Sequence, residues 1–399
     1  MTSNDKSQPA GTAVSFQKIF SKVNLDGFMT EINELEMELK QSVDGQDAVD
    51  HLKKVALWGR VSTLIGILTA VILPNPISAF LISQGKFTRW TSVAHHVLHK
   101  GYDGFKQTPK RFRSHSFAKG GRRIWDWLDW IEPAAWEKEH NVLHHYRLGE
   151  RFDPDVFEFN VESMRNSKLP KFLKTILLLI TMTQWKWFYY APSTIKQLYS
   201  PKKKDSLDSY HDRLMPFDAV YNPFGRAGRS LWLKSFLPYA MMNFILIPAL
   251  FLMISETAAM NVFLTLLLAE IFTNVHTFLV IVPNHSGSDL FSFEGAPKDR
   301  QEFCIRQIVG SANYRCGGDF NDFLHGWLNY QIEHHLWPDM SMLQYQLAQP
   351  KLKAICEKYK VPYVQESVWL RFAKIIPIFL GSESMITMSG KQKAKPATA

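Results

Sequence analysis

The chain has 399 residues, 46 Lys and Arg against 37 Asp and Glu, and a formal net charge of +9, a length that admits two soluble domains or one membrane core with a large aqueous cap. Its 28 Phe and 12 Trp coexist with a slightly negative mean hydropathy, so the apolar residues are gathered in segments and the positive charge suits the anionic inner face of a membrane. No zinc-finger spacing, RNA-binding signature or basic repeat supports a nucleic-acid partner, and three sparse cysteines, Cys304, Cys316 and Cys356, exclude a disulfide framework.

Met1 to Gly11 is polar and lacks the apolar core of a cleavable signal, so insertion is expected to rely on internal spans. From Ser15 to Lys54, Phe16, Ile19, Phe20 and Val23, then Phe28, Ile32, Leu35 and Leu39, recur at helical intervals among charges. Residues 1–56 therefore read as a cytosolic amphipathic region lying on the cap or the membrane surface. A first apolar run, Leu57 to Leu73, ends at Pro74-Asn75-Pro76, which stops one helix and starts the next. The second span, 77–94, is less apolar and carries His95, His96 and His99 to the aqueous side.

Between Lys100 and Lys171 the chain is polar and mixes Trp with Arg, the composition of a membrane interface, and its basic excess marks a cytoplasmic loop. His140, His144 and His145 lie in it. Phe236 to Ser255 and Met260 to Val282 are clear apolar spans joined by a short turn. If Leu173 to Tyr190 also crossed, the later histidines would face away from the earlier ones, so that segment is assigned to the interface. The expected fold is an all-α integral membrane protein: four transmembrane helices in two hairpins, 57–73 with 77–94 and 236–255 with 260–282, and a cytosolic helical cap. Residues 57–381 form the membrane domain. A helix is expected over 340–359 and a disordered basic tail over 382–399.

Asn329-Tyr330-Gln331-Ile332-Glu333-His334-His335-Leu336-Trp337-Pro338 makes little sense as core packing, because His, Gln and Glu are costly to bury unsatisfied. A metal would satisfy them. On a helix, positions i and i+4 share a face, so His95 with His99 and His140 with His144 can each serve one ion. The adjacent His145 and His335 point elsewhere and suit a second. A thiolate-free imidazole set fits zinc, copper or iron. Lone His51, His115 and His211 read as surface residues; Glu270 and His276 fall within the fourth span, and His325 is a candidate outer partner.

HxxxH, HxxxHH and QxxHH in this order, beside two membrane hairpins, resemble the membrane-bound fatty acid desaturase family. The third box is similar to its acyl-lipid and front-end branch, in which glutamine replaces the first histidine. The resemblance implies two non-haem irons, O2 as co-substrate and removal of two hydrogens from adjacent methylenes of an acyl chain of a membrane lipid or a thioester. Carried onto this chain, the implied ligands are His95, His99, His140, His144, His145, His334 and His335, with His285 of Asn284-His285 as the isolated ligand between the second and third boxes. His96 stands where many relatives carry aspartate, so His95 and His96 are alternatives. Gln331 either binds iron or orients a water; Asn284 is a further candidate, and Glu139, Asp103, Asp319, Asp322 and Glu333 are candidates to hold the outer nitrogens of ligating histidines. No cytochrome b5 motif is fused, which implies a separate donor, a ferredoxin or a cytochrome b5 with its reductase. The active site is expected on the cytoplasmic face, of a bacterial inner membrane in preference to a eukaryotic endomembrane. Related hydroxylases and ketolases share such boxes, and a histidine-lined metal transporter is the alternative from another class.

Overall fold

The computed structural model describes residues 14–200 and 215–389. Helices cover most of each expected span. The first apolar run begins within the Gly45–Ala70 helix and continues into the turn after it, Asn75 caps the next helix, Pro76–Thr88, by accepting from Ser78 N at 2.7 Å, and the fourth run is carried by the Glu256–Ile281 helix. Among the described residues, two helices are long and apolar enough to cross a membrane, Arg226–Met253 and Glu256–His285. The first hairpin carries more charge, yet it too presents Leu57, Leu64, Leu68, Ile72 and Ile77 outward. It is tied to the second hairpin through Asn261, whose amide donates to the carbonyls of Val71 and Ile72 at 3.0 Å each. Close approach needs small residues: a Cβ on Gly85 would collide with Thr63 and the Gly59 carbonyl of the facing helix.

Leu173 to Tyr190 splits into the Lys171–Met182 helix and a wider turn, Lys186–Tyr190. The helix buries Lys174, Leu178 and Met182 and exposes Phe172, Ile176, Leu179 and Ile180, a two-faced pattern. Lys186 is buried against Asp129 at 2.7 Å. Glu270, fully buried, accepts from Lys86, from Tyr239 and from Trp130 Nε1, the last at 2.8 Å. Lys186 with Asp129 and Lys86 with Glu270 are thus paired, as the low dielectric demands.

Several expectations need correction. The fold is not purely helical: Val14–Ser15, Ile386–Ser389 and Phe291–Glu294 form a three-stranded parallel sheet in that order, and Ala312–Asn313 pairs with Val364–Gln365. Part of the basic tail is therefore ordered, because Ile386 and Met388 alternate with polar residues and Met388 is fully buried. Residues 390–399 lie outside the described residues. No break occurs at residue 56, since the Gly45–Ala70 helix runs through it, and the Leu25–Ser42 helix buries Phe28, Ile32, Leu35 and Leu39 in the main core. His51 is buried rather than superficial and donates to Asp319 at 3.3 Å; His115 is exposed, and His211 lies outside the described residues.

Candidate metal centre

Two boxes sit on helices that widen locally. The Pro76–Thr88 helix passes through an i→i+5 turn, Arg89–Ala94, into His95–Leu98, and Glu137–His144 is itself such a turn leading into His145–Arg147. These wide turns are rare and favour functional sites because they re-aim side chains. The third box follows a left-handed pair, Gly326 at φ 64° and Trp327 at φ 58°, before the Gln331–Leu336 helix. A Cβ at Gly326 would collide with Thr91 and Phe87, so glycine lets the third box close onto the helix that carries the first.

All eight implied histidines are buried and converge into two adjoining groups. One holds His95, His99, His140, His145 and His334; the other holds His144, His285 and His335, with ligating atoms in each group within 4.8 Å of one another. His95 Nε2 is 3.0 Å from His140 Nε2 and 2.9 Å from His334 Nε2. Neighbouring corners of a coordination sphere with bonds of about 2.1 Å are spaced about 3 Å apart. His99 Nε2, His144 Nε2 and both nitrogens of His145 are buried without hydrogen-bond partners. Orphaned imidazole nitrogens at these spacings fit a metal and leave no ordinary packing account. Burial first, and then the neighbouring imidazoles, push His99, His140, His145, His334 and His335 well below the usual histidine range, which keeps them neutral, the ligating form.

His96 stays outside both groups: its Nδ1 meets the Ser92 carbonyl at 2.8 Å and its ring faces Tyr345. Gln331 belongs to the second group by position, with its amide nitrogen 2.9 Å from His285 Nε2 and 3.3 Å from His335 Nε2. Its carbonyl oxygen has no partner, and an amide flip exchanges the two ends. Asn284 Nδ2 donates to the Val280 and Leu328 carbonyls, leaving Oδ1 buried and free beside the site.

The candidate outer carboxylates lie elsewhere. Asp103 accepts from Ser114, Asp319 from His51, Lys54 and Gln346, Asp322 from Asn329, Tyr330 and Gln346, and Glu333 from Asn313 and Tyr363. Glu139 is buried and reached by Tyr190 at 3.3 Å. They brace the loops around the boxes, and none holds a box histidine. That work falls to residues the sequence reading missed. Asp153 accepts from His144 Nδ1 at 2.8 Å; Asp155 lies 3.8 Å from His144 Nδ1 and 4.0 Å from His140 Nδ1. Gln307 Oε1 accepts from His335 Nδ1, and Tyr345 OH meets His334 Nδ1, each at 3.2 Å. Although burial opposes it, the Asp153 carboxylate raises His144 above its ordinary range. Asp153-Pro154-Asp155 just after the second box was the available signal; Gln307 and Tyr345 come from other helices and left none. His325 bonds the Asn321 carbonyl at 2.8 Å and does not approach the clusters.

A cavity of about 250 Å³ lies beside the site, walled by Leu177 and Thr181, by Met164, by Phe278 and by Phe379. At its inner end Asp155, Tyr190, Ile281 and His285 also line a smaller space of about 30 Å³ against His95, His140 and His144. The imidazole groups thus adjoin an apolar chamber whose outer wall is the two-faced Lys171–Met182 helix.

The family model for fatty acid desaturases matches residues 70–367. Among curated relatives, an NADPH-dependent stearoyl-CoA 9-desaturase of Mycobacterium tuberculosis is 23% identical over 305 residues, covering 74% of this chain and 64% of the relative. Shorter matches join the chain to a fatty acid desaturase 2-like protein of Mus musculus, 31% identical over 22% of this chain and 18% of the relative, and to an acyl-lipid (9-3)-desaturase of Physcomitrium patens, 29% identical over 27% and 19%. The chain spans under two thirds of the length of these relatives. With three histidine boxes folded into one buried site and a family match over most of its length, this chain belongs to the fatty acid desaturase family.

Proposed function

We propose that the protein is an oxygen-dependent fatty acyl desaturase that works through two irons. His95, His99, His140, His145 and His334 would hold one ion, and His144, His285 and His335, completed by Gln331, the other. The observation that carries this reading is the junction of two orphaned imidazole groups with an apolar cavity of about 250 Å³.

The irons, when bound, supply the oxidation: two hydrogens of the chain, two electrons and two protons reduce O2 to two waters, and a double bond remains. The protein's own contribution is placement. Tyr190 and Ile281 line both the cavity and the space at the clusters, where they would hold one methylene pair beside the imidazoles. Asp153, Gln307 and Tyr345 fix the tilt and tautomer of His144, His335 and His334. Trp90, Trp136 and Leu328 close the far side and exclude water.

An acyl-lipid substrate is favoured because the Lys171–Met182 helix turns apolar side chains outward while Leu177 and Thr181 line the cavity, a lateral entrance from the bilayer. This reading takes both hairpins as spanning, with the boxes on the cytoplasmic face and a separate protein delivering electrons. It is supported by the second hairpin's length, the apolar residues the first presents outward, and the position of every box beyond the spans. A metal transporter would line a path through the spans instead. Expression in a host lacking the activity, with double bonds located by mass spectrometry with and without O2, tests the proposal. New unsaturation only in aerated cells supports it; hydroxylated or oxo acids, or no new product, would overturn it.

A further inference from the structure

A second cavity, of about 610 Å³, lies against a different face of the Glu256–Ile281 helix from the acyl chamber and shares no lining residue with either space at the metal centre. Its floor is Ile271, Val275 and Leu279 with Phe80 of the facing helix. From Ile271 to Leu279 the helix rises about 12 Å at about 1.5 Å per residue, most of one hydrocarbon leaflet of about 15 Å. Its aqueous end is of a different character. Arg315, Asn321 and His325 line it, and Trp369, 69% exposed, stands at its edge, where an indole suits the headgroup level.

Arg315 is exposed, and among the described residues its guanidinium has no ion-pair partner. Nearby carboxylates are already engaged: Asp319 with Lys54 and His51, Asp322 with Tyr330, and Glu366 with Arg371 and Lys374. His325 uses Nδ1 on the Asn321 carbonyl, which leaves Nε2 for a ligand. Deeper in the wall, His276 donates from Nε2 to the Leu324 carbonyl, and its Nδ1 is buried without a partner. An apolar trough spanning most of one leaflet, with an unmatched cation at the headgroup end, is complementary to one kind of molecule.

We infer that this groove binds an anionic glycerophospholipid, its phosphate on Arg315 and His325 and one acyl tail along Val275 and Leu279. The inference rests on the Glu256–Ile281 helix spanning the membrane, and the ligand is distinct from the substrate in the acyl chamber. Bound there, it would wedge the fourth span against the Val368–Leu380 helix, whose first residues form the other wall.

The test incubates the full-length, detergent-purified protein with equal amounts of phosphatidylglycerol and phosphatidylcholine, then measures retained lipid and iron by mass spectrometry. Preferential retention of phosphatidylglycerol is expected, reduced roughly fivefold or more by Arg315→Glu with His325→Ala, the effect of losing basic contacts at an anionic headgroup. Iron content should not change. Val275→Trp, which fills the trough, should lower retention of both lipids. Equal retention of the two by the native protein, or an undiminished preference in the Arg315→Glu, His325→Ala variant, would overturn the inference. Loss of unsaturated product with lipid retention intact would bear on the desaturase reading alone.

Discussion

The imidazole rings of His145 and His335 stack with centroids 4.3 Å apart and 14° between their planes. His145 belongs to the five-histidine group and His335 to the three-histidine group, so the two groups meet at this stacked pair of rings. His145 also touches His99 at 4.4 Å and His334 at 4.6 Å. Its replacement should therefore disturb more than one coordination bond. His145→Ala is expected to retain half the native iron or less and to form no product, whereas His96→Gln, outside both groups, should keep its iron. Metal analysis of the two variants separates these outcomes, and equal iron in both would refute the grouping.

Asp153 is expected to set the strength of the second group through His144. Asp153→Asn should weaken metal retention or activity by about 10–100-fold, the usual cost of losing such an outer partner. Asp103→Asn, which alters a loop contact to Ser114, should not. Dialysis against a chelator, with iron followed over time, measures both.

The apolar chamber should govern which chains are accepted. Thr181→Trp intrudes on the cavity of about 250 Å³ at its outer wall, away from His285. Product from long acyl chains should fall at least about tenfold, an effect of about 1.4 kcal/mol, while iron content is unchanged. Fatty acid profiling of cells expressing the variant reads this directly; a native profile would place the substrate elsewhere.

Glu270 neutralises Lys86 in a fully buried setting and also takes hydrogen bonds from Tyr239 and Trp130. Glu270→Ala strands the lysine, and removing one partner of a buried pair costs about 3–5 kcal/mol. A marked fall in thermal stability is expected, with partial recovery in Glu270→Leu combined with Lys86→Met. Thermal scans of the detergent-solubilised variants measure this: recovery in the double variant is expected of a pair whose partners compensate each other's buried charge, and no recovery would refute it.

The first box was legible in the sequence because i, i+4 spacing is local information, and His95 meets His99 as that spacing requires, at 5.1 Å between rings; in the second box the expected pairing of His140 with His144 on one ion gives way to His140 with His145, because the wide turn over Glu137–His144 rotates the later histidines. Choosing His95 over His96 was not, since the choice depends on the wide turn at Arg89–Ala94 that rotates the box. Carboxylates near the boxes in sequence misled. Glu333 adjoins His334 yet faces Asn313 and Tyr363, because neighbouring positions on a helix point apart. Tyr345 and Gln307 reach the site only through tertiary packing. Likewise the strand Ile386–Ser389 has its partner, Phe291–Glu294, almost a hundred residues earlier, and a short polar-flanked run cannot announce such a pairing.

Iron analysis of the purified full-length protein tests the central claim most directly. Two imidazole groups predict two irons per chain, retained through purification and reduced to one or none in His145→Ala. A single ion per chain, stoichiometric zinc in place of iron, or no bound metal would contradict a diiron desaturase site.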